Sequence, residues 1–141
     1  LSPVRHIRDG LIENQRSKAT LLLAIQAIQQ QLSSVYYFPS YEIMMDDLRD
    51  YRFYGADMIH PNEVALNYIW DKFSATFFEP KTVQLNQVLT KLQKAMQHRP
   101  FNPASDKHQV FLKKQLHLVE KLEKQYVHLD FEKEKAFFGK T

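Results

Sequence analysis

The sequence predicts a mainly α fold with a small β element, and three observations carry that prediction. Apolar residues recur at three-and-four spacing through most of the chain, the mark of helices with one buried face. Strand-like composition is confined to two short stretches, around Val4 and at Val35–Phe38, each beside a proline. Hydrophobic residues make up 44% of the chain and aromatic ones 13%, which excludes a disordered polypeptide and implies a packed core.

The elements follow in order. Leu1–His6 reads as the end of a strand running into a loop, because Pro3 disfavours helix at Ser2 and has no amide to give a ladder. Asn14 is suited to cap a helix over residues 14–32, and Leu21 to Ile28 would cover most of its circumference with apolar side chains, so burial on more than one side is expected. Val35–Phe38, stopped by Pro39, reads as a buried parallel strand with a loop at its carboxyl end, where ligand sites of open α/β folds lie. Pro61 and Glu63 then suit the first turn of a helix over residues 62–78, with Val64, Tyr68 and Phe73 on its buried side and Pro80 interrupting it.

Beyond Pro80 the pattern is a helical hairpin. Leu85, Val88, Leu89, Leu92 and Met96 form one stripe over residues 82–97. Leu112, Leu116, Val119, Leu122, Tyr126 and Leu129 form a second over residues 105–128, after the turn-rich His98–Ser105. The short connection favours an intramolecular antiparallel pair, although Lys and Glu flank the second stripe as they do in helices that dock on a partner copy. The final Glu132–Thr141 is expected to fray unless Phe137 and Phe138 pin it. The chain therefore divides into residues 1–79, carrying the β element, and residues 80–141, a helical hairpin packed on them.

Composition excludes several functions. Gly10, Gly55 and Gly139 are isolated and make no phosphate-cradling loop, so no nucleotide cofactor is expected. Nineteen basic residues face 16 acidic ones for a net charge of +3, with no basic run to act as a nucleic-acid footprint. The absence of cysteine removes disulfides, thiolate metal sites and a cysteine nucleophile. No apolar run of about 18 residues and no signal peptide occurs, which leads us to expect a cytoplasmic protein without a membrane partner. His98, His108, His117 and His128 are ten, nine and eleven residues apart, none of which is the i, i+4 spacing that puts two imidazoles together on one helical face for a metal, so a metal is not expected.

The chemistry concentrates in Asp46–Pro61. Asp57 and His60 lie three apart just before Pro61, a spacing that lets a carboxylate hold one ring nitrogen of an imidazole and so set its tautomer. A shared metal at Asp57 and His60 is the lesser alternative, since Asp46, Asp47 and Asp50 form no recognised ligand pattern. Ser2–His6, Glu13–Ile25, Tyr36–Ile43 and Asp46–Trp70, the last reading DDLRDYRFYGADMIHPNEVALNYIW, together resemble the C-terminal half of GSCFA-family proteins, a branch of the SGNH (GDSL-like) hydrolases. That resemblance implies the C-terminal portion of an α/β, flavodoxin-like fold with a Ser-His-Asp site, in which His60 is the general base and Asp57 its orienting partner. The Gly-Ser-Cys-Phe-Ala segment with the nucleophilic serine is not among these residues and is expected upstream of Leu1, so the chain is expected to carry half of an active site and to be inactive alone.

Arg5 and His6 are placed near that site by the α/β reading, where a cation holds an anionic part of a substrate or pairs with Asp50 or Asp57. Tyr54, with Tyr51 and Phe53, lines a pocket wall or the core. Ser2, Ser17, Ser33, Ser34, Ser40, Ser74 and Ser105 all lack the strand-to-helix elbow that exposes a nucleophile. The first functional reading is therefore the Asp-His part of a serine esterase acting on a small acyl ester or acylated carbohydrate. The alternative is a non-catalytic helical interaction or assembly module. In either case open sheet edges and an exposed helix face lead us to expect homo-oligomers.

Overall fold

The computed structural model describes residues 1–139 and is mainly α. Its elements are α1 Leu11–Gln31, α2 Ser40–Glu42 continuing into a π-helical turn Ile43–Asp47, a 3-10 turn Tyr51–Phe53, α3 Glu63–Phe77, α4 Pro80–Gln97, α5 Asp106–Gln125 and α6 Glu132–Phe138. They form two compact units, Leu1–Glu79 and Pro80–Thr141. Among the described residues the β element is reduced to one isolated bridge between Tyr54 and Pro61. No helix among them is long and apolar enough to cross a membrane.

In the first unit, α1 starts three residues before the expected Asn14 cap. Gly10 precedes it with φ 93°, a left-handed value that favours glycine. Asn14 lies inside the first turn, where its Oδ1 accepts the His6 amide at 2.9 Å. The buried residues of α1 are Asn14 and Lys18 rather than its leucines. Lys18 Nζ donates to the carbonyls of Ser2 at 2.7 Å and Val4 at 3.1 Å, and Tyr41 donates to Gln15 at 2.9 Å. The helix thus meets its own unit through a polar row, and Leu21, Leu23 and Ile28 stay exposed.

Val35–Phe38 does not form the expected strand. A strand needs a partner for its backbone groups, and no ladder exists among the described residues to receive it. The segment instead folds into coil that delivers Phe38 edge-on to Phe73 of α3, with ring centroids 5.1 Å apart. The core of this unit is Ile43, Met44, Leu48, Tyr54 and Ala65, with Phe38, Met45, Phe53 and Ile69 packed against it. Ala65 and Ser74 are the buried positions of α3 and Phe73 packs on Phe38, whereas Val64 and Tyr68, expected on the buried side, are exposed. With no sheet among the described residues there are no open sheet edges there, which removes one of the two reasons for expecting self-association; the exposed face of α1 remains.

The second unit has one more helix than the expected hairpin. Leu92 of α4, Leu112, Val119 and Leu122 of α5, and Phe131 and Phe138 form its core. Ser105 caps α5 by accepting the His108 amide. Of the segment expected to fray, Glu132–Phe138 forms α6 and is pinned as its phenylalanines allowed, with Phe138 1% exposed and Lys135 paired with Glu123 of α5 at 2.6 Å; Lys140 and Thr141 lie outside the described residues. His98 and His108 spend their rings on Phe111, with centroids 5.8 and 6.0 Å away.

Candidate active site

The Asp57–His60 pair sits at the tip of a loop whose neck is closed by backbone bonds. Tyr54 bridges Pro61, the Gly55 amide donates to the His60 carbonyl at 2.8 Å, and the Asn62 amide donates to the Phe53 carbonyl at 2.9 Å. Asn62 completes the neck. Its side chain donates to the Arg52 carbonyl at 2.6 Å and accepts the Ala65 amide at 3.1 Å, so Asn62, not Pro61, starts α3. A short rigid element at the base and a closed neck hold the tip in a defined shape.

Inside the loop, Met58 has φ 61°, a left-handed conformation that side-chain-bearing residues adopt at a cost. That turn brings the Asp57 carboxylate over the amides of Ile59 and His60. Oδ1 accepts from Ile59 N at 2.9 Å and from His60 N at 3.0 Å. Oδ2 lies 2.7 Å from His60 Nδ1. One oxygen therefore builds the loop while the other holds the ring. The Ile59 amide above all, then the His60 ring and the His60 amide, hold the Asp57 carboxyl down at about 2, below its ordinary 3.8.

This arrangement has a chemical consequence. An ionised carboxylate only accepts, so His60 Nδ1 carries the proton and Nε2 of the neutral ring is left as a base. Among the described residues no protein group is hydrogen-bonded to Nε2, and the His60 side chain is 63% exposed. The pair is consequently open to whatever approaches the loop.

The remaining predicted residues distribute unevenly around it. Arg5 is tied to the loop by its amide, 3.3 Å from the Ile59 carbonyl, and by Nη1, 3.4 Å from the Met58 carbonyl. It pairs with neither Asp50 nor Asp57; its guanidinium lies over the Tyr54 ring at 4.1 Å instead. Tyr54 is largely buried, and its ring forms one wall of a cavity that Arg5 also lines. His6 points elsewhere, with Nδ1 3.7 Å from Asp9, and is absent from that cavity. No group of three or more potential ligands for a metal is gathered among the described residues. Sequence reasoning gave Asn14 a capping role and missed Lys18; four residues apart on one face of α1, the two fix the Ser2–His6 segment.

Fold and loop together define a mainly helical protein that offers an Asp–His pair on an exposed, hydrogen-bonded turn. Residues 1–73 match the model of the GSCFA family, and residues 89–141 match that of the GSCFA domain protein, C-terminal domain. The chain belongs to the GSCFA family. The second match falls on helices in which the sequence displayed no motif. No curated protein and no solved structure matches the chain.

Proposed function

We propose that this chain supplies the acid–base half of a serine acyl hydrolase of SGNH type, with His60 as general base and Asp57 as its orienter. The observation that supports it is the 2.7 Å contact between Asp57 Oδ2 and His60 Nδ1, which leaves Nε2 basic and exposed. Such a nitrogen takes the proton of a serine hydroxyl as the oxygen attacks an ester carbonyl, and the imidazolium formed is stabilised by the carboxylate. It then gives that proton to the departing alcohol. Water repeats the sequence on the acyl-enzyme and releases the acid. Among the described residues no serine hydroxyl is bonded to His60, so the nucleophile and the oxyanion donors come from other residues of the polypeptide or from a partner. The substrate is a small acyl ester or an acyl group on a carbohydrate.

Expression of the complete reading frame that encodes these residues tests this. Turnover of a small acyl ester that disappears in His60→Ala, with the melting temperature retained, is the expected result. Equal turnover in the two proteins sinks the assignment.

A second reading, a helical assembly module, is favoured by the exposed Leu21, Leu23 and Ile28 of α1. On that reading the chain self-associates at micromolar concentration in sedimentation equilibrium, and Leu23→Glu disperses it; a monomer at that concentration excludes it.

A further inference from the structure

Beside the Asp57–His60 loop lies an open cavity of about 230 Å³, with Arg5, Arg49, Asp50, Tyr51 and Tyr54 among its lining residues. Its charges are unequally satisfied. Asp50 is engaged by Arg52, whose amide donates to Oδ1 at 2.8 Å and whose Nε lies 3.7 Å from Oδ2. Arg49 has Asp46 at 3.4 Å. Arg5 has no carboxylate within 4.0 Å among the described residues. Its side chain is bonded only to the Met58 carbonyl, and its guanidinium lies 4.1 and 5.7 Å from the centroids of Tyr54 and Tyr51.

The backbone that presents Arg5 is held with unusual care. Lys18, 7% exposed, gives two of its three donors to the carbonyls of Ser2 and Val4, and Asn14 accepts the amide of His6. Burying an ammonium and an amide costs solvation that good geometry has to offset. Here both are committed to the short segment that carries the half-buried Arg5, whose guanidinium lies beside two tyrosine rings. Tyr51 is 64% exposed and leaves its ring available to stack on a flat ligand.

We propose that this cavity is an oxyanion-group subsite: Arg5 binds a carboxylate or phosphate carried by a sugar-sized substrate, and Tyr51 covers the attached ring. A guanidinium fork pairs two oxygens of either group in parallel. The inference rests on the hydrolase reading for its catalytic meaning, making the substrate an acidic ester such as an acylated sugar acid or sugar phosphate. It does not rest on that reading for binding.

The test therefore has a binding arm and an activity arm. In the first, the chain is titrated with glucuronate, glucose 6-phosphate and glucose while the Arg5 Nε–H and the Tyr51 and Tyr54 ring resonances are followed by NMR. Saturable shifts with glucuronate identify the carboxylate source, with glucose 6-phosphate the phosphate source, and either supports the subsite. Shifts with glucose of equal affinity, or with none of the three, overturn it. Arg5→Gln is expected to weaken the anionic ligand about tenfold or more and Arg8→Gln to leave it unchanged. Because Arg5 also packs on Tyr54, Arg5→Lys is the companion variant; it keeps the charge without the fork, and undiminished affinity there overturns the paired-oxygen geometry. In the second arm, the complete polypeptide is compared on 4-nitrophenyl hemisuccinate and 4-nitrophenyl acetate. A kcat/KM ratio favouring the anionic ester and falling about tenfold in Arg5→Gln supports the proposal. Turnover with no such preference and no binding overturns the subsite alone, whereas binding without turnover of either ester overturns the hydrolase reading alone.

Discussion

Replacing Asp57 with asparagine separates what the carboxylate does for the ring from what it does for the loop. The two amides of Ile59 and His60 point at Oδ1 from 2.9 and 3.0 Å. An asparagine has to keep its carbonyl there, because an NH2 group would face two donors. Its NH2 is then aimed at His60 Nδ1, which becomes the acceptor and sends the ring proton to Nε2. A protonated Nε2 cannot take a proton from serine. In the complete polypeptide the expected loss in kcat is on the order of 10⁴-fold, the magnitude known for the same exchange in a serine protease triad. In the present chain the tautomer itself is readable. Two-bond ¹⁵N–¹H correlations at about pH 9, where an imidazole is neutral, are expected to place the His60 proton on Nδ1 in the parent and on Nε2 in Asp57→Asn. Asp57→Ala is the control, since it also removes the acceptor for both amides and speeds their hydrogen exchange. A parent ring already protonated at Nε2, or an Asp57→Asn ring unchanged from the parent, refutes the reasoning.

The Asp57 carboxyl, held down at about 2 from its ordinary 3.8, stabilises the fold fully above its unfolded value and loses that contribution as pH falls through about 2; its ¹³C carboxyl titration is expected to have its midpoint near the lower figure, and a midpoint near 4 contradicts the loop geometry. At Met58, with φ 61°, a β-branched side chain is poorly tolerated, so Met58→Val is expected to cost about 1–3 kcal/mol in denaturant unfolding while Met58→Gly stays near neutral. Phe138, 1% exposed at the centre of the second unit, is expected to cost about 3–5 kcal/mol on change to alanine; a loss below about 1 kcal/mol shows that α6 is not part of that core.

How much of this was legible in the sequence differs by element. The stripes of α4 and α5 were readable because their burial is repeated every three or four residues, and Leu92, Leu112, Val119 and Leu122 occupy the core as the spacing requires. Val35–Phe38 misled because β-branched and aromatic residues report a preference for a pleated, half-buried surface and not the presence of a partner strand. The apolar stretch of α1 misled in the other direction: the polar Asn14 and Lys18, not Leu21 or Leu23, face its unit. Phe131 and Phe138, seven apart, marked the inner face of α6, but the charged run between them masked it. At the site, the three-residue separation of Asp57 and His60 was visible, whereas the left-handed Met58 that turns spacing into contact was not. Arg5 lies beside the loop without the sheet edge that was to place it there, and its partner is an aromatic face, a contact that charge matching along a sequence does not suggest.

The most direct test of the account is esterase activity of the complete polypeptide on a small acyl ester, measured for the parent, His60→Ala and Asp57→Asn at equal folded concentration. We predict that the parent turns over, that His60→Ala abolishes turnover and that Asp57→Asn lowers it by orders of magnitude, all without loss of fold. An active parent whose rate survives both changes contradicts the role assigned to the pair.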